Sequence, residues 1–170
     1  MPFPLVPTWR AEDVNGIPMG FLREQGIQLV MLDFDNTIVP YTTDVPTAEV
    51  KSWLEGLKQA GFVVCVVSNS HNSRVPEFCK KYALDCITHA RKPFTKGIRQ
   101  CLARYDIAPR QAILVGDQIY TDTWGGNCAG VRTVLVRSIH NHTVWLKLRH
   151  IAEKPFIYAA RKRRISYEES

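Results

Sequence analysis

Blocks of consecutive apolar residues alternate along this chain with stretches in which apolar positions recur every three or four residues. Residues 27–32, Ile-Gln-Leu-Val-Met-Leu, form a nearly unbroken apolar block that ends at Asp33, the pattern of a strand buried on both faces. From Pro46 to Ala60 the apolar residues Val50, Trp53, Leu54 and Leu57 fall at helical spacing, Pro-Thr opens the segment, and Gly61 follows as a C-terminal cap. A valine-rich strand over 62–67 stops at Ser68-Asn69-Ser70, after which Val75, Phe78 and Tyr82 outline a short helix and residues 86–89 a third, shorter strand. Ile98, Cys101, Leu102 and Tyr105 mark a further helix, residues 112–115 a strand ending at Gly116-Asp117, residues 121–129 a helical segment and residues 133–136 a last strand. A longer C-terminal helix begins near His142, and Pro155 is expected to interrupt it.

Strands that alternate with helices predict right-handed crossovers and a mostly parallel sheet covered on both faces, a Rossmann-like three-layer α/β/α sandwich. Ligands of such sheets bind beyond the carboxyl ends of the strands, at the point where the strand order reverses. Polar residues gather at those ends: Asp33 and Asp35 after the first strand, Ser68 after the second, Asp117 after a later one. No internal repeat or linker divides the 170 residues, which is the size of one domain. The expected organisation is an N-terminal extension packing on the core (1–26), the α/β core (27–140) and a basic C-terminal helix or tail (141–170).

Composition narrows the setting. With 45% hydrophobic and 22% charged residues the chain can bury a core, and no apolar run approaches the roughly 20 residues that span a bilayer. The N-terminus lacks a basic leader followed by an apolar stretch, so a cytoplasmic location is expected. The five cysteines include no C-x-x-C pair and read as small buried apolar residues. A formal charge of +6 favours anionic partners: phosphoesters, nucleic acid or an acidic membrane surface.

The segment Asp33-Phe34-Asp35-Asn36-Thr37 resembles the D-x-D-x-T signature of the haloacid dehalogenase (HAD) superfamily phosphatases. The other three motifs of that superfamily follow in order: Ser68 at the hydroxyl position of the second, Lys92 in Arg-Lys-Pro at the third, and Gly116-Asp117 through Asp122 as the acidic fourth. The resemblance covers about residues 27–136 and implies a phosphatase in which Asp33 is the nucleophile and Asp35 the general acid and base. It also implies phosphate contacts from Ser68, Asn69, Lys92 and Thr37. Elementary chemistry agrees. Residues two apart in an extended chain point the same way, so Asp33 and Asp35 can divide two jobs at one substrate while Phe34 packs behind. Phosphoryl transfer spreads negative charge over oxygens, which Lys92 and Ser68 can meet. The hydroxyl of Thr37 serves the phosphate or, equally, a local turn. Asp33 and Asp117, the backbone carbonyl of Asp35, and Asp122 directly or through water are oxygen ligands suited to Mg²⁺. His140, His142 and His150 are not clean helical neighbours, and a metal role for them is not expected.

Many relatives insert a cap domain between the first and second motifs or between the second and third, and here neither interval has room for one. The open crevice suits a phosphate on a macromolecule, a lipid headgroup, or a site completed by another subunit. Within the superfamily, LDFDNTIVPY, ARKPF and VGDQIYTDTWGGN resemble the capless subclass IIIA family known as YqeG, related to phosphatidylglycerophosphate phosphatases. That likeness implies a lipid phosphate monoesterase producing phosphatidylglycerol. The basic stretch from Lys147 to Arg164, which interleaves Leu148, Ile151, Phe156 and Ile157, suits the inner face of an anionic membrane or, as readily, a solvated tail. A nucleotide, sugar phosphate or phosphoprotein is the alternative substrate. A basic RNA- or membrane-binding module on an inactive scaffold is the alternative of another class, and nucleic acid is supported by charge alone.

Overall fold

A computed structural model describes residues 4–139 and 144–165; the side chains of 144–151 and 162 lie outside that description. Its elements run β1 (Trp9–Arg10), α1 (Met19–Glu24), β2 (Leu29–Leu32), α2 (Ala48–Gln59), β3 (Val63–Val67), α3 (Arg74–Lys81), β4 (Asp85–Ile87) and α4 (Lys96–Tyr105). Then come β5 (Ala112–Gly116), a π-helical turn (Ile119–Thr123) leading into α5 (Trp124–Cys128), β6 (Arg132–Leu135) and α6 (Val144–Ala159).

The six strands form one parallel sheet in the order β1-β6-β5-β2-β3-β4. Leu29–Leu32 of β2 pair with Val63–Val66 on one side and Ala112–Val115 on the other. Strand order reverses between β2 and β5, so the crevice belongs at their carboxyl ends. Alternate strand residues feed two cores. Val30, Leu32, Val64, Val66, Ile113 and Val115 pack with Val50, Trp53, Leu54 and Leu57 of α2 and Val75 and Phe78 of α3. Leu29, Met31, Cys65, Val67 and Leu114 pack with Ile98, Cys101 and Leu102 of α4. These are the three layers that the apolar blocks predict, because a strand buried on both faces can carry hydrophobic side chains at every position.

The N-terminal residues do more than pack on this core. Trp9 and Arg10 pair with Val134 and Leu135 of β6, and Thr8 and Thr133 each donate a backbone N–H to the other's hydroxyl at 3.1 Å. A two-residue strand carries no apolar run, which is why the pattern does not reveal it.

Pro155 does not interrupt the last helix, contrary to expectation: α6 continues to Ala159 with Pro155 inside it on an exposed position. Tertiary anchors flank the proline and outweigh its missing ladder bond. Buried Glu153 accepts from Ile119 N at 3.2 Å, Tyr120 donates to Ala152 O at 3.3 Å, and the Tyr120 ring meets Phe156 edge-on. His140 and His142 lie outside the described residues, as do the side chains of His150, Lys147, Leu148 and Ile151.

Candidate active site

β2 delivers Asp33 to the carboxyl edge of the sheet, where its N–H bonds Val115 O at 2.9 Å and keeps it in register with β5. Phe34 enters the α3 layer, edge-on to Phe78 at 5.0 Å between ring centroids. The chain then turns through Asn36, whose φ of +59° is a left-handed conformation that asparagine tolerates better than most residues. Asn36 N bonds Val39 O at 2.8 Å, and Tyr41 N donates to Asn36 Oδ1 at 3.3 Å. Asp35 and Thr37 are thus presented from a tight turn rather than from a continuing strand.

Lys92 arrives from the loop between β4 and α4. That loop lies along the residues following β3, with Ala90 N on Ser68 O at 3.0 Å and His89 N on Ser70 O at 3.3 Å. Asn69 fastens the two: its Oδ1 accepts from Lys92 N at 2.7 Å and its Nδ2 donates to Lys92 O at 2.9 Å. So placed, the Lys92 ammonium donates to Asp33 Oδ1 at 2.8 Å and Asp122 Oδ1 at 2.6 Å. Asp122 folds back from the π-helical turn, its Oδ2 accepting from Gln118 N at 3.2 Å. A Cβ at Gly116 would stand 2.3 Å from the Asp122 carboxyl carbon, so β5 must end in glycine for that carboxylate to reach Lys92.

Oxygens of Asp33, Asp117 and Asp122 lie within 4.8 Å of one another, and all three residues are buried. Thr37 Oγ1 stands 3.4 Å from both Asp33 Oδ2 and Asp117 Oδ1 and links the two strand ends. Buried Ser68 adds a hydroxyl whose oxygen accepts from Ser70 N at 3.0 Å. Burial by itself would drive the Lys92 ammonium toward neutrality. The charges of Asp122 and Asp33 outweigh that and hold its pKa above the usual lysine value. Burial pushes Asp122 up to about 6, against the pull of Lys92. Three clustered carboxylates, two of them on the one ammonium, leave a site rich in hard oxygen donors, a donor set that fits a divalent cation.

The fold therefore gathers Asp33, Thr37, Lys92, Asp117 and Asp122 by direct side-chain geometry, with Ser68 on the adjoining loop. Two residues sit otherwise than the linear motifs suggest. Asn69, predicted to touch phosphate, uses both ends of its amide on the Lys92 main chain. The Asp35 carboxylate stands apart from the acid cluster and accepts from Arg74 Nη1 at 2.7 Å; burial, offset by Arg74, raises its pKa. Arg74 is the contact that the sequence did not reveal, since a lone arginine at a helix start reads as a solvated charge.

An all-parallel sheet with this carboxylate and lysine cluster at its switch point defines a hydrolase of the phosphoryl-transfer class. Residues 89–159 match the HAD-hydrolase-like family. Over 115 residues, 68% of this chain and 67% of the relative, the sequence is 32% identical to the probable phosphatase YqeG of Bacillus subtilis. The chain belongs to the haloacid dehalogenase superfamily, as one of its phosphatases. It is also 24% identical over 113 residues to the glyceraldehyde 3-phosphate phosphatase of Pyrococcus furiosus, spanning 46% of that longer protein and 61% of its own length. Solved structures share the fold. A protein from Listeria monocytogenes superposes with a TM-score of 0.56 at 19% identity, covering 69% of this chain and 84% of that one. The cobalt-bound deoxy-D-mannose-octulosonate 8-phosphate phosphatase of Haemophilus influenzae gives 0.54 at 10% identity, covering 82% and 92%.

Proposed function

We propose that this protein hydrolyses a phosphate monoester through a phospho-aspartyl intermediate on Asp33, and that its substrate is a lipid headgroup, phosphatidylglycerophosphate, at an anionic membrane surface. The observation that carries the hydrolytic reading is the buried junction of Asp33, Lys92 and Asp122 at 2.8 and 2.6 Å, two residues before the half-buried carboxylate of Asp35. In the first half-reaction an Asp33 oxygen attacks phosphorus in line, and Asp35 gives its proton to the departing ester oxygen. In the second, Asp35 takes a proton from water as that water attacks the phospho-aspartate, which frees inorganic phosphate and restores Asp33. Lys92 and Ser68 meet charge on the transferring oxygens. Asp33, Asp117, Asp122 and the Asp35 carbonyl are the groups to hold Mg²⁺, which would offset the repulsion between Asp33 and the incoming phosphate.

Two features favour a lipid. Between Ile38 and Val67 the chain forms only a turn, α2 and β3, and between Asn72 and Arg91 only α3 and β4, so no cap covers the crevice among the described residues. Large apolar side chains also stand exposed beside it: Tyr41 (66%), Phe94 (74%), Trp124 (42%) and Ile139 (41%). Phe94 and Trp124 each follow a cluster residue by two positions, and the Pro93 backbone packs against Gly125. Tyr41 N and Ile139 N both bond Asn36, on its side-chain and main-chain oxygens. With exposed Arg91 and Lys96 nearby, this rim suits shallow contact with an anionic bilayer. No described helix is long and apolar enough to cross a membrane, so the contact proposed is peripheral.

The test is phosphate release from phosphatidylglycerophosphate in mixed micelles, glyceraldehyde 3-phosphate, a nucleoside monophosphate and a phosphopeptide, with Mg²⁺ and with chelator. The lipid should be the best substrate, turnover should need the cation, and Asp33→Asn should abolish it. A higher kcat/KM on a soluble phosphate would reject the lipid assignment alone; undiminished release by Asp33→Asn would reject the nucleophile.

A further inference from the structure

We propose that Arg74 is the positioning residue for the Asp35 carboxylate, a rigid fork that aims the acid at the leaving oxygen and fixes the loop behind it. The inference rests on the reading of Asp35 as the general acid and base. Arg74 opens α3, directly after the Ser68-to-Ser73 segment, and reaches across to the turn that follows β2. Its Nη1 donates to Asp35 Oδ1 at 2.7 Å, its Nη2 to Thr43 O at 2.7 Å and Pro40 O at 3.1 Å, and its Nε to Asp44. The guanidinium also lies over the rings of Phe34 at 5.3 Å and Tyr41 at 5.7 Å. One planar group thereby binds the acid, two carbonyls of the adjoining loop and a second carboxylate. Lysine cannot reproduce that geometry, because its ammonium is a point charge without a fixed fork.

Helix stability does not account for an arginine here. The first turn of a helix is the positive end of its dipole and favours acidic residues, so the placement of Arg74 is locally unfavourable. Ser73, the capping residue, makes no side-chain cap bond that would share the load. The placement is explained by what the guanidinium reaches. Asp35 directly precedes Asn36, the left-handed residue of a tight turn, and no named strand or helix holds it, so without the fork its carboxylate is free to sample other rotamers. A proton donor must stand within hydrogen-bond reach of the leaving oxygen, and small displacements of such groups cost large factors in rate. No cap covers this region among the described residues; the loop of residues 40–45 stands beside the acid, and Arg74 fastens that loop to α3.

The prediction separates positioning of an acid from general support of the fold. Phenyl phosphate and 4-nitrophenyl phosphate have nearly the same shape, but only the phenolate of the first is basic enough to need protonation as it leaves. Wild type, Asp35→Asn, Arg74→Gln and Arg74→Lys would be compared on both with Mg²⁺ by kcat/KM, which reports the steps through loss of the phenolate and excludes the hydrolysis of the phospho-aspartate common to both esters. Folding would be monitored by thermal melts. Asp35→Asn should lose about 10²-fold or more on phenyl phosphate and far less on the nitrophenyl ester. Arg74→Gln should show the same asymmetry with about 10-fold or more lost on phenyl phosphate, and Arg74→Lys should fall between it and wild type. Equal losses on the two esters, or no loss, would overturn the proposal. Should Arg74→Gln not fold, Arg74→Lys decides the question by the same ratio. If Asp35→Asn itself shows no asymmetry, the acid assignment fails first and the proposal with it, whereas asymmetry in Asp35→Asn alone rejects only the role given to Arg74.

Discussion

Two cations serve residues two apart at the end of one strand, and they do so by opposite means. Lys92 is dry, with 1% of its side chain exposed, and is held by two carboxylates that are themselves almost wholly buried. Arg74 keeps 21% of its side chain exposed and spreads its hydrogen bonds over Asp35, Asp44 and two loop carbonyls. Water can replace much of what Arg74 provides, because its partners are partly solvated. Little water reaches Lys92 and Asp122, and Asp33 keeps only a narrow face open to the crevice, so each charge there depends on the others. Stability and chemistry are joined in the first cluster; in the second, geometry can fail while the fold survives.

Removing each cation in turn is the strongest trial of that contrast. Lys92→Met keeps an apolar stem and takes the shared ammonium from Asp33 and Asp122, which should cost about 3–5 kcal/mol in metal-free denaturation. Hydrolysis should fall about 10³-fold with the loss of charge at the phosphoryl oxygens. Mg²⁺ should raise the melting temperature of this variant more than that of the parent, since the cation then meets an unrelieved set of carboxylates. Arg74→Gln, by comparison, should cost about 1–2 kcal/mol, the scale of its partly solvated hydrogen bonds. Equal destabilisation by the two substitutions would contradict the distinction between a dry and a wet cluster.

A pH series tests the dry cluster more finely. Burial raises Asp122 from the ordinary 3.8 to about 6. The folded state therefore binds this proton more tightly than the unfolded state does. Stability from this group is present below the ordinary value and is lost as pH climbs through about 6, amounting to ~3 kcal/mol across the window. Asp122→Asn lacks that loss. With chelator present, its stability relative to the parent should rise by about that amount between pH 4 and pH 7. A relative fall would mean that Lys92 dominates burial at this carboxylate.

The contrast also explains what could be read from the chain and what could not. The central strands were visible as apolar blocks because both faces of β2, β3 and β5 are covered, and the acids of the dry cluster stand at their ends or one short turn beyond. Gly116 and Asp122, six residues apart, form one steric unit, since a side chain at Gly116 would collide with the Asp122 carboxylate. Arg74 was invisible for the opposite reason: it reaches 39 residues back to Asp35, past α2 and β3, and no sequence period links the two positions. Asn69 shows a third case. Its identity marked the right loop, but only the fold reveals that its amide is committed to the Lys92 main chain. β1 escaped notice because two residues make no pattern, and Pro155 misled because contacts from Glu153 and Tyr120 outweigh a local preference.

The smallest effect belongs to Asn36, where backbone conformation and a side-chain bond can be separated. Its φ of +59° costs glycine nothing, so Asn36→Gly removes only the 3.3 Å bond from Tyr41 N and should lose under about 1 kcal/mol. Asn36→Ala loses the same bond and keeps a Cβ in the left-handed region without the local tolerance of asparagine, so it should fall about 1 kcal/mol or more below the glycine variant. The difference between the two variants in urea denaturation isolates the strain. Tyr41 also lies under the Arg74 guanidinium, so Asn36 and Arg74 hold one loop from two sides. Asn36→Gly and Arg74→Gln combined should therefore be non-additive, with a coupling of about 0.5 kcal/mol or more. Simple additivity would mean that the loop is held independently at each point, and the wet cluster would then be a set of separate contacts rather than a unit.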